Sequence, residues 1–355
     1  MVGASLLSEA SVISMSKGKM YVTQAELATA LKDYVGRETP LYLAQRITNH
    51  YKNSKGEWPE IYLKREDLNH CGAHKMNNAI AQAMLAKRIG RKSIVAATGA
   101  GQHGVATAAA CAKLALECTI FMGRMDMERQ SSNVTLMNLL GAEVRSVDGS
   151  FKDATSEAIR HWVNNLDSSY HLAGAPVGPH PCPTMVREFQ SVIGKETRKQ
   201  ATEIWGGKPD VLVACVGNGS NALGLFHEFV RDEDVQLIGV EAAGVGLESG
   251  KHSATLVTGE MRKVKSLGHT PLLLEYPGVS PELSFFKDIG QAEFYTVTDQ
   301  EAIDAYRRVS RLEGIIPAME ASHALAFLER VCPILPDGAR VVVSCSGRGD
   351  KDAAM

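Results

Sequence analysis

The chain has 355 residues, 45% hydrophobic and 22% charged, with 38 Lys and Arg against 40 Asp and Glu. That composition supports a full apolar core in one large domain or two of ordinary size. The absence of a basic run argues against a nucleic-acid partner, and no apolar stretch reaches the roughly 20 residues of a membrane helix.

The opening "MVGASLLSEASVISMSKGKM" is Ser-rich and nearly free of acids, and reads as an ordinary frayed terminus. Further on, "EIYLKRE", "KSIVAAT", "ECTIFMG" and "AEVRSV" are short β-branched runs between amphipathic stretches. "KMNNAIAQAMLAKRIG" has apolar residues at helical spacing and a glycine stop at Gly90. "IGKETRKQATEIWGGKPD" predicts a polar helix and turn, and a boundary between two halves near residues 194–207. "DVLVACVG", "VQLIGVEA" and "ARVVVSCSG" are almost wholly apolar, as strands covered on both faces are. The alternation of strand and helix predicts an α/β fold with mostly parallel sheets. None of the seven cysteines forms a C-x-x-C pair, so they read as buried reduced thiols, and no metal site is expected.

Three glycine-rich turns each follow a predicted strand: "TGAGQHG", "GNGSNALG" and "GRGDKD". In open α/β sheets such turns gather at the carboxyl ends of the strands and line one ligand cleft. "HKMNN" places Lys75 at a helix start, where a lysine either forms a Schiff base with an aldehyde cofactor or is an ordinary surface residue. "GNGSN" offers backbone N–H groups and a helix N-terminus to a single phosphate, or is a capped helix after a tight turn. "SCSGRGDKD" ends a strand with the hydroxyl of Ser346, suited to a pyridine nitrogen, and also reads as a charged turn.

Taken together and in this order, "IYLKREDLNHCGAHKMNNA", "TGAGQHG", "MERQSSNV", "GPHPCPTMVREFQSVIGKE", "GSNALGLFHEF", "EGIIPAMEASHAL" and "SGRGDKD" resemble the tryptophan synthase β subunit, especially its plant-type sequences. The resemblance runs from about Asp33 to Asp352. It implies a fold-type-II pyridoxal-phosphate enzyme with two domains, 1–194 and 195–355, the first containing a communication subdomain at about 90–178. The family joins serine to indole, which it receives from an α subunit that cleaves indole-3-glycerol phosphate. By resemblance Lys75 is the Schiff-base lysine. His74, Gly217, Asn218, Gly219, Ser220 and Asn221 surround the cofactor phosphate, with Glu320 near the ring and Ser346 at its nitrogen. Thr98, Gly99, Ala100, Gly101, Gln102 and His103 hold the substrate carboxylate. Arg129 is a switch arginine with Glu275 as its ion-pair partner, and Lys152 faces an acid of the α subunit. A β–β dimer within an αββα assembly, in cytoplasm or plastid stroma, is implied in the same way.

The departures are as informative. Ala97 stands where the family has the glutamate that helps expel the serine hydroxyl and activates indole. A methyl group transfers no proton, and such groups typically supply about 10²–10⁴ in rate. Asn218 interrupts a run of three glycines at the phosphate, where a side chain costs space and cofactor binding is weakened. Cys71 replaces a threonine, Leu283 a histidine, and the segment before "LEYPGVSPELS" is shortened across the family's indole gate. The expectation is a β-like partner with crippled chemistry that activates an α subunit and lets indole escape. The alternative is a pyridoxal-phosphate lyase acting on serine by deamination, β-replacement or slow tryptophan synthesis.

Overall fold

Six strands, β1 (Leu41–Leu43), β2 (Glu60–Lys64), β7 (Val211–Val216), β8 (Gln236–Gly244), β9 (Glu293–Thr298) and β10 (Arg340–Ser344), form one sheet in the order β1-β2-β10-β7-β8-β9. Four more, β3 (Ser93–Thr98), β4 (Glu117–Gly123), β5 (Glu143–Val147) and β6 (Ser169–His171), form a second in the order β5-β4-β3-β6. All neighbours are parallel except β1, which runs antiparallel to β2. The structure is a computed structural model that describes residues 22–52, 58–259 and 278–352.

The apolar runs become strands because both faces of the large sheet are covered. Along β7, Val211 and Val213 face a core shared with the helices Asp299–Glu313 and Met319–Ala326. Leu212, Ala214 and Val216 face the opposite core, filled from the helices Val192–Trp205, Ser220–Phe226 and Pro281–Asp288. In the small sheet Ile94 and Ala96 pack against the helices Lys75–Arg88 and Gln102–Leu114, while Val95 and Ala97 join Phe121, Ala154 and Ala158 on the other face. No described helix is long and apolar enough to cross a membrane.

The sheets do not divide at residue 194. β1 and β2 belong to the same sheet as the C-terminal strands, with β2 pairing along β10 from Glu60–Arg340 to Lys64–Ser344. The sequence shows strand spacing but not pairing, so it could not reveal this return. β1 and β6 are three residues each, too short for a periodic signal, and "EFYTVT" in β9 sits at a sheet edge.

A buried ionic cluster closes the junction between the halves. The Arg37 guanidinium donates bidentately to Glu66 at 2.7 and 2.8 Å and to Glu196 at 2.7 and 2.7 Å. It also donates to Asn77 Oδ1 at 2.7 Å, and Lys64 Nζ reaches Glu196 at 2.8 Å. Two cations thus meet two carboxylates, all four side chains being buried. Burial alone would raise the Glu66 pKa; the Arg37 charge, its hydrogen bonds and Lys64 outweigh it and hold the carboxyl well below the usual range.

Removing one member leaves an unpaired buried charge, which is far costlier than the pair is worth. Arg37→Met is therefore expected to lose about 3–5 kcal/mol of stability, read from the urea midpoint at neutral pH. The acid dependence has a definite sign. Because the folded-state pKa of Glu66 is depressed, its contribution is complete above the ordinary value of 4.5 and drains away as pH falls below it. Urea titrations of the parent protein from about pH 5 down to about pH 2.5 should show this loss, and Glu66→Gln should flatten it.

Candidate active site

The carboxyl ends of β3, β7 and β10 and the start of the Lys75–Arg88 helix open onto one cavity of about 800 Å³. It gathers His74, Lys75, Ala97, Gln102, His103, Glu320 and Ser346 with residues 98–100 and 217–221. Nearly the whole set expected from the sequence therefore shares one space.

Lys75 begins its helix, and its amine makes no hydrogen bond to any described residue. Burial pushes its pKa down, opposed by the Glu320 charge, which favours the neutral nucleophilic amine. His74 is locked beside it. Its Nδ1–H donates to the Ser346 carbonyl at 3.0 Å, which leaves Nε2 to accept from Ser220 Oγ at 3.3 Å. Burial, then the Lys75 charge, take its pKa down to about 4, so the ring is neutral at pH 7. Glu320 has the opposite balance: burial would raise its pKa, but the Lys351 and Lys75 charges hold it below the usual range.

The loop at residues 99–101 is set by Asn133, which donates to the Ala100 carbonyl at 2.7 Å. Gly101 has φ +89°, and a Cβ there would meet Asn133 Cβ at 2.5 Å, so no side chain fits. Gly101 shapes the turn from behind and is not itself part of the cavity wall. The Gln102–Leu114 helix begins at the cavity, with Gln102 and His103 in its wall and the Gly104 N–H donated to Thr98 Oγ1 at 3.2 Å; a helix start of this kind favours an anion.

Across from it lies the phosphate-type loop at residues 217–221. Asn218 is not in the left-handed region; among described residues only Cys71 and Ala115 combine a side chain with positive φ. Its amide donates to the Gly278 carbonyl at 2.7 Å, and its own carbonyl accepts from Ser280 N at 3.0 Å. The side chain therefore ties the loop to the segment before the Pro281–Asp288 helix. The position that demands glycine is Gly219, at φ +98°, where a Cβ would lie 2.6 Å from Leu283 Cδ1. Asn221 spends its side chain on the strand ends, accepting from Ser344 Oγ at 2.7 Å and donating to the Cys215 carbonyl at 3.2 Å, so its main chain faces the ligand space.

Ser346 is buried with its Oγ 3.6 Å from Cys215 Sγ. Burial pushes the Cys215 thiol up to about 11, so the group beside Ser346 is neutral. Arg129 and Lys152 are exposed and lie outside the cavity wall, and Glu275 falls outside the described residues. Cys71 occupies φ +65° just before the lysine helix, a conformation that costs a β-substituted residue about 1 kcal/mol or more. Sequence reasoning missed Cys215, Thr155, Trp162 and His171, which also line the cavity. None lies in a glycine turn or in the lysine motif, and none is singled out by the resemblance. No group of acids, histidines and cysteines among the described residues has metal-binding geometry.

A lysine amine at a helix start, facing paired N–H loops and a neutral hydroxyl at the ends of parallel strands, defines a site for a phosphorylated aldehyde. Residues 33–347 match the pyridoxal-phosphate dependent enzyme family, and the chain belongs to it. The two-sheet α/β architecture is that of the family's fold type II.

The geometry separates the two loop positions experimentally. Gly219→Ala must displace Leu283 and adopt a strained φ, and should weaken pyridoxal phosphate binding by about tenfold or more. Asn218→Gly should change it by less than about threefold, since the asparagine amide is engaged elsewhere. Titration followed by visible absorption, with thermal melting as a folding control, measures both.

Proposed function

We propose that this chain is a tryptophan synthase β-like protein that keeps the cofactor pocket but not the indole-coupling step, and that it activates an α subunit so that free indole is released. The observation that carries this reading is Ala97. Its methyl group stands in the cavity wall among a nearly complete set of binding residues.

The residues present suit pyridoxal phosphate: Lys75 for the aldehyde, the N–H groups of residues 217–221 for the phosphate, and Ser346 for the ring nitrogen. Bound there, the cofactor supplies an electron sink for carbanion chemistry at the α-carbon of an amino acid. With the cofactor bound, Lys75 would move the α-proton and the main chain at the start of the Gln102–Leu114 helix would bind the carboxylate. No carboxylate stands at residue 97 to help expel the serine hydroxyl or to deprotonate an incoming nucleophile. The partner role draws on the helix Phe151–Val163, which exposes Lys152 on one side and lines the cavity with the other. A contact made on its outer face is thus one helix diameter from the ligand space, a short route for coupling two sites. A β–β dimer carrying two α subunits completes the proposed assembly. The second reading, a lyase acting on serine, is favoured by the Lys75 amine in the cavity wall, whose chemistry needs nothing from residue 97.

Indole release from indole-3-glycerol phosphate by a plant α subunit should rise severalfold when this protein is added, with little tryptophan formed even when serine is present. An unchanged rate sinks the partner role, and rapid coupling of indole to serine sinks the inactive reading of Ala97. In Ala97→Glu, tryptophan formation should rise by about 10²-fold or more, the contribution of a restored general acid–base.

A further inference from the structure

The phosphate-type loop is backed by a strap, residues 278–283, whose side of the loop is turned away from the cavity. Ser280 N donates to the Asn218 carbonyl at 3.0 Å, and the fully buried Leu283 packs beneath Gly219. Neither Ser280 nor Leu283 lines the cavity, whereas residues 217–221 all do. The peptide bond between Asn218 and Gly219 is trans and planar, so its carbonyl and its N–H point in opposite directions. With the carbonyl turned to Ser280, the Gly219 N–H is turned away from the strap, on the side of the ligand space.

The strap is fastened in turn to a fixed frame. Arg187, on the helix Cys182–Gln190, donates Nη1 to both carboxylate oxygens of Glu282 at 3.2 Å, while its Nε and Nη2 are spent on Glu188 at 3.1 and 2.7 Å. That helix is pressed against the helix Ser220–Phe226, which continues the loop. A Cβ at Gly224 would lie 2.6 Å from the Gln190 carbonyl, so the contact admits no side chain. His227, at the end of the loop's own helix, also stands with Nδ1 3.4 Å from Glu282 Oε1. Burial would raise the Glu282 pKa, but His227 and the Arg187 charge outweigh it and hold the carboxyl below the usual range. Loop, strap and the two helices thus form a closed ring of contacts that meets at Glu282.

We propose that Glu282 is a positioning residue for the phosphate loop: by fastening the strap to Arg187 it keeps the Asn218–Gly219 peptide turned with its N–H toward a phosphate. This role rests on the placement of pyridoxal phosphate stated above, but needs neither an acid at residue 97 nor an α subunit. Without the carboxylate, the strap keeps the apolar contacts of Leu283 and Phe286, which are non-directional. The fold survives while the peptide plane loosens, and the loss falls on the phosphate rather than on the aldehyde at Lys75.

Absorption titrations of the full-length protein with pyridoxal phosphate and with pyridoxal, which lacks the phosphate, separate the two. In Glu282→Ala the ratio of the two affinities should fall about three- to tenfold, with pyridoxal affinity changed by less than about twofold. Arg187→Met breaks the same contact from the other helix and should lower the ratio similarly. The double variant should lose little more than either single one, as partners in one contact do. Glu282→Gln, which keeps an acceptor for Arg187, should retain part of the ratio, and thermal melting checks that each variant is folded. An unchanged ratio in a folded variant overturns the role, as do equal losses for both aldehydes, additive losses in the double variant, or no preference for the phosphorylated aldehyde in the parent. Failure to stimulate an α subunit, with the ratio behaving as stated, removes the partner role and leaves that of Glu282 standing; stimulation with an unchanged ratio does the reverse.

Discussion

Arg37 fixes the geometry on which the cavity depends. Its guanidinium holds Glu66, just past the end of β2, and Glu196, on the helix Val192–Trp205, so one side chain registers elements from both halves of the chain. It also reaches Asn77, two residues after Lys75. The lysine helix is therefore aimed by a buried ionic cluster rather than by its weak N-terminal capping, since His74 makes no side-chain cap bond. Such clusters contribute little net stability against an apolar replacement, but they tolerate only one arrangement of their partners. Here that selectivity positions the amine against the loops that face it.

The cavity is ordered electrostatically as well. Glu320 is kept ionised by neighbouring cations, His74 is kept neutral, and Lys75 is pushed toward the neutral amine. These states arise from burial working in opposite directions on acids and bases, with the balance decided by the next charge. The Ser346 hydroxyl, with neutral Cys215 beside it, adds a neutral partner for a ring nitrogen. Scaffold positions at which these states are set lie on β7, β10 and the helices beside them, away from residue 97.

Much of this could be read from the sequence because glycine turns after apolar runs have a definite physical meaning. "TGAGQHG" and "GNGSN" mark places where N–H groups must stay free and Cβ atoms are excluded, and Gly101 and Gly219 show the crowding that enforces this. What stayed hidden depends on pairing in space. β1 and β2 join the C-terminal strands through the parallel contact of β2 with β10, which no local pattern encodes. His171 and Trp162 belong to a three-residue strand and a helix face, and only the register of β3 with β6 brings them beside Ala97. The engagement of Asn218 was hidden for a related reason, since only the fold brings its amide to the Gly278 carbonyl.

The same packing accommodates an alanine at residue 97. Ala97 sits in a small apolar cluster with Val95, Phe121, Ala154 and Ala158, where a methyl group is already at home. A carboxylate at this position would need solvent or hydrogen-bond partners to offset its burial, and the adjoining helix face offers only Thr155, whose hydroxyl is spent on its own helix. Alanine at this position therefore leaves no orphaned partner and fits the small cluster around it. A methyl group stands in the cavity wall beside the loop at residues 98–100, where it can exchange no proton.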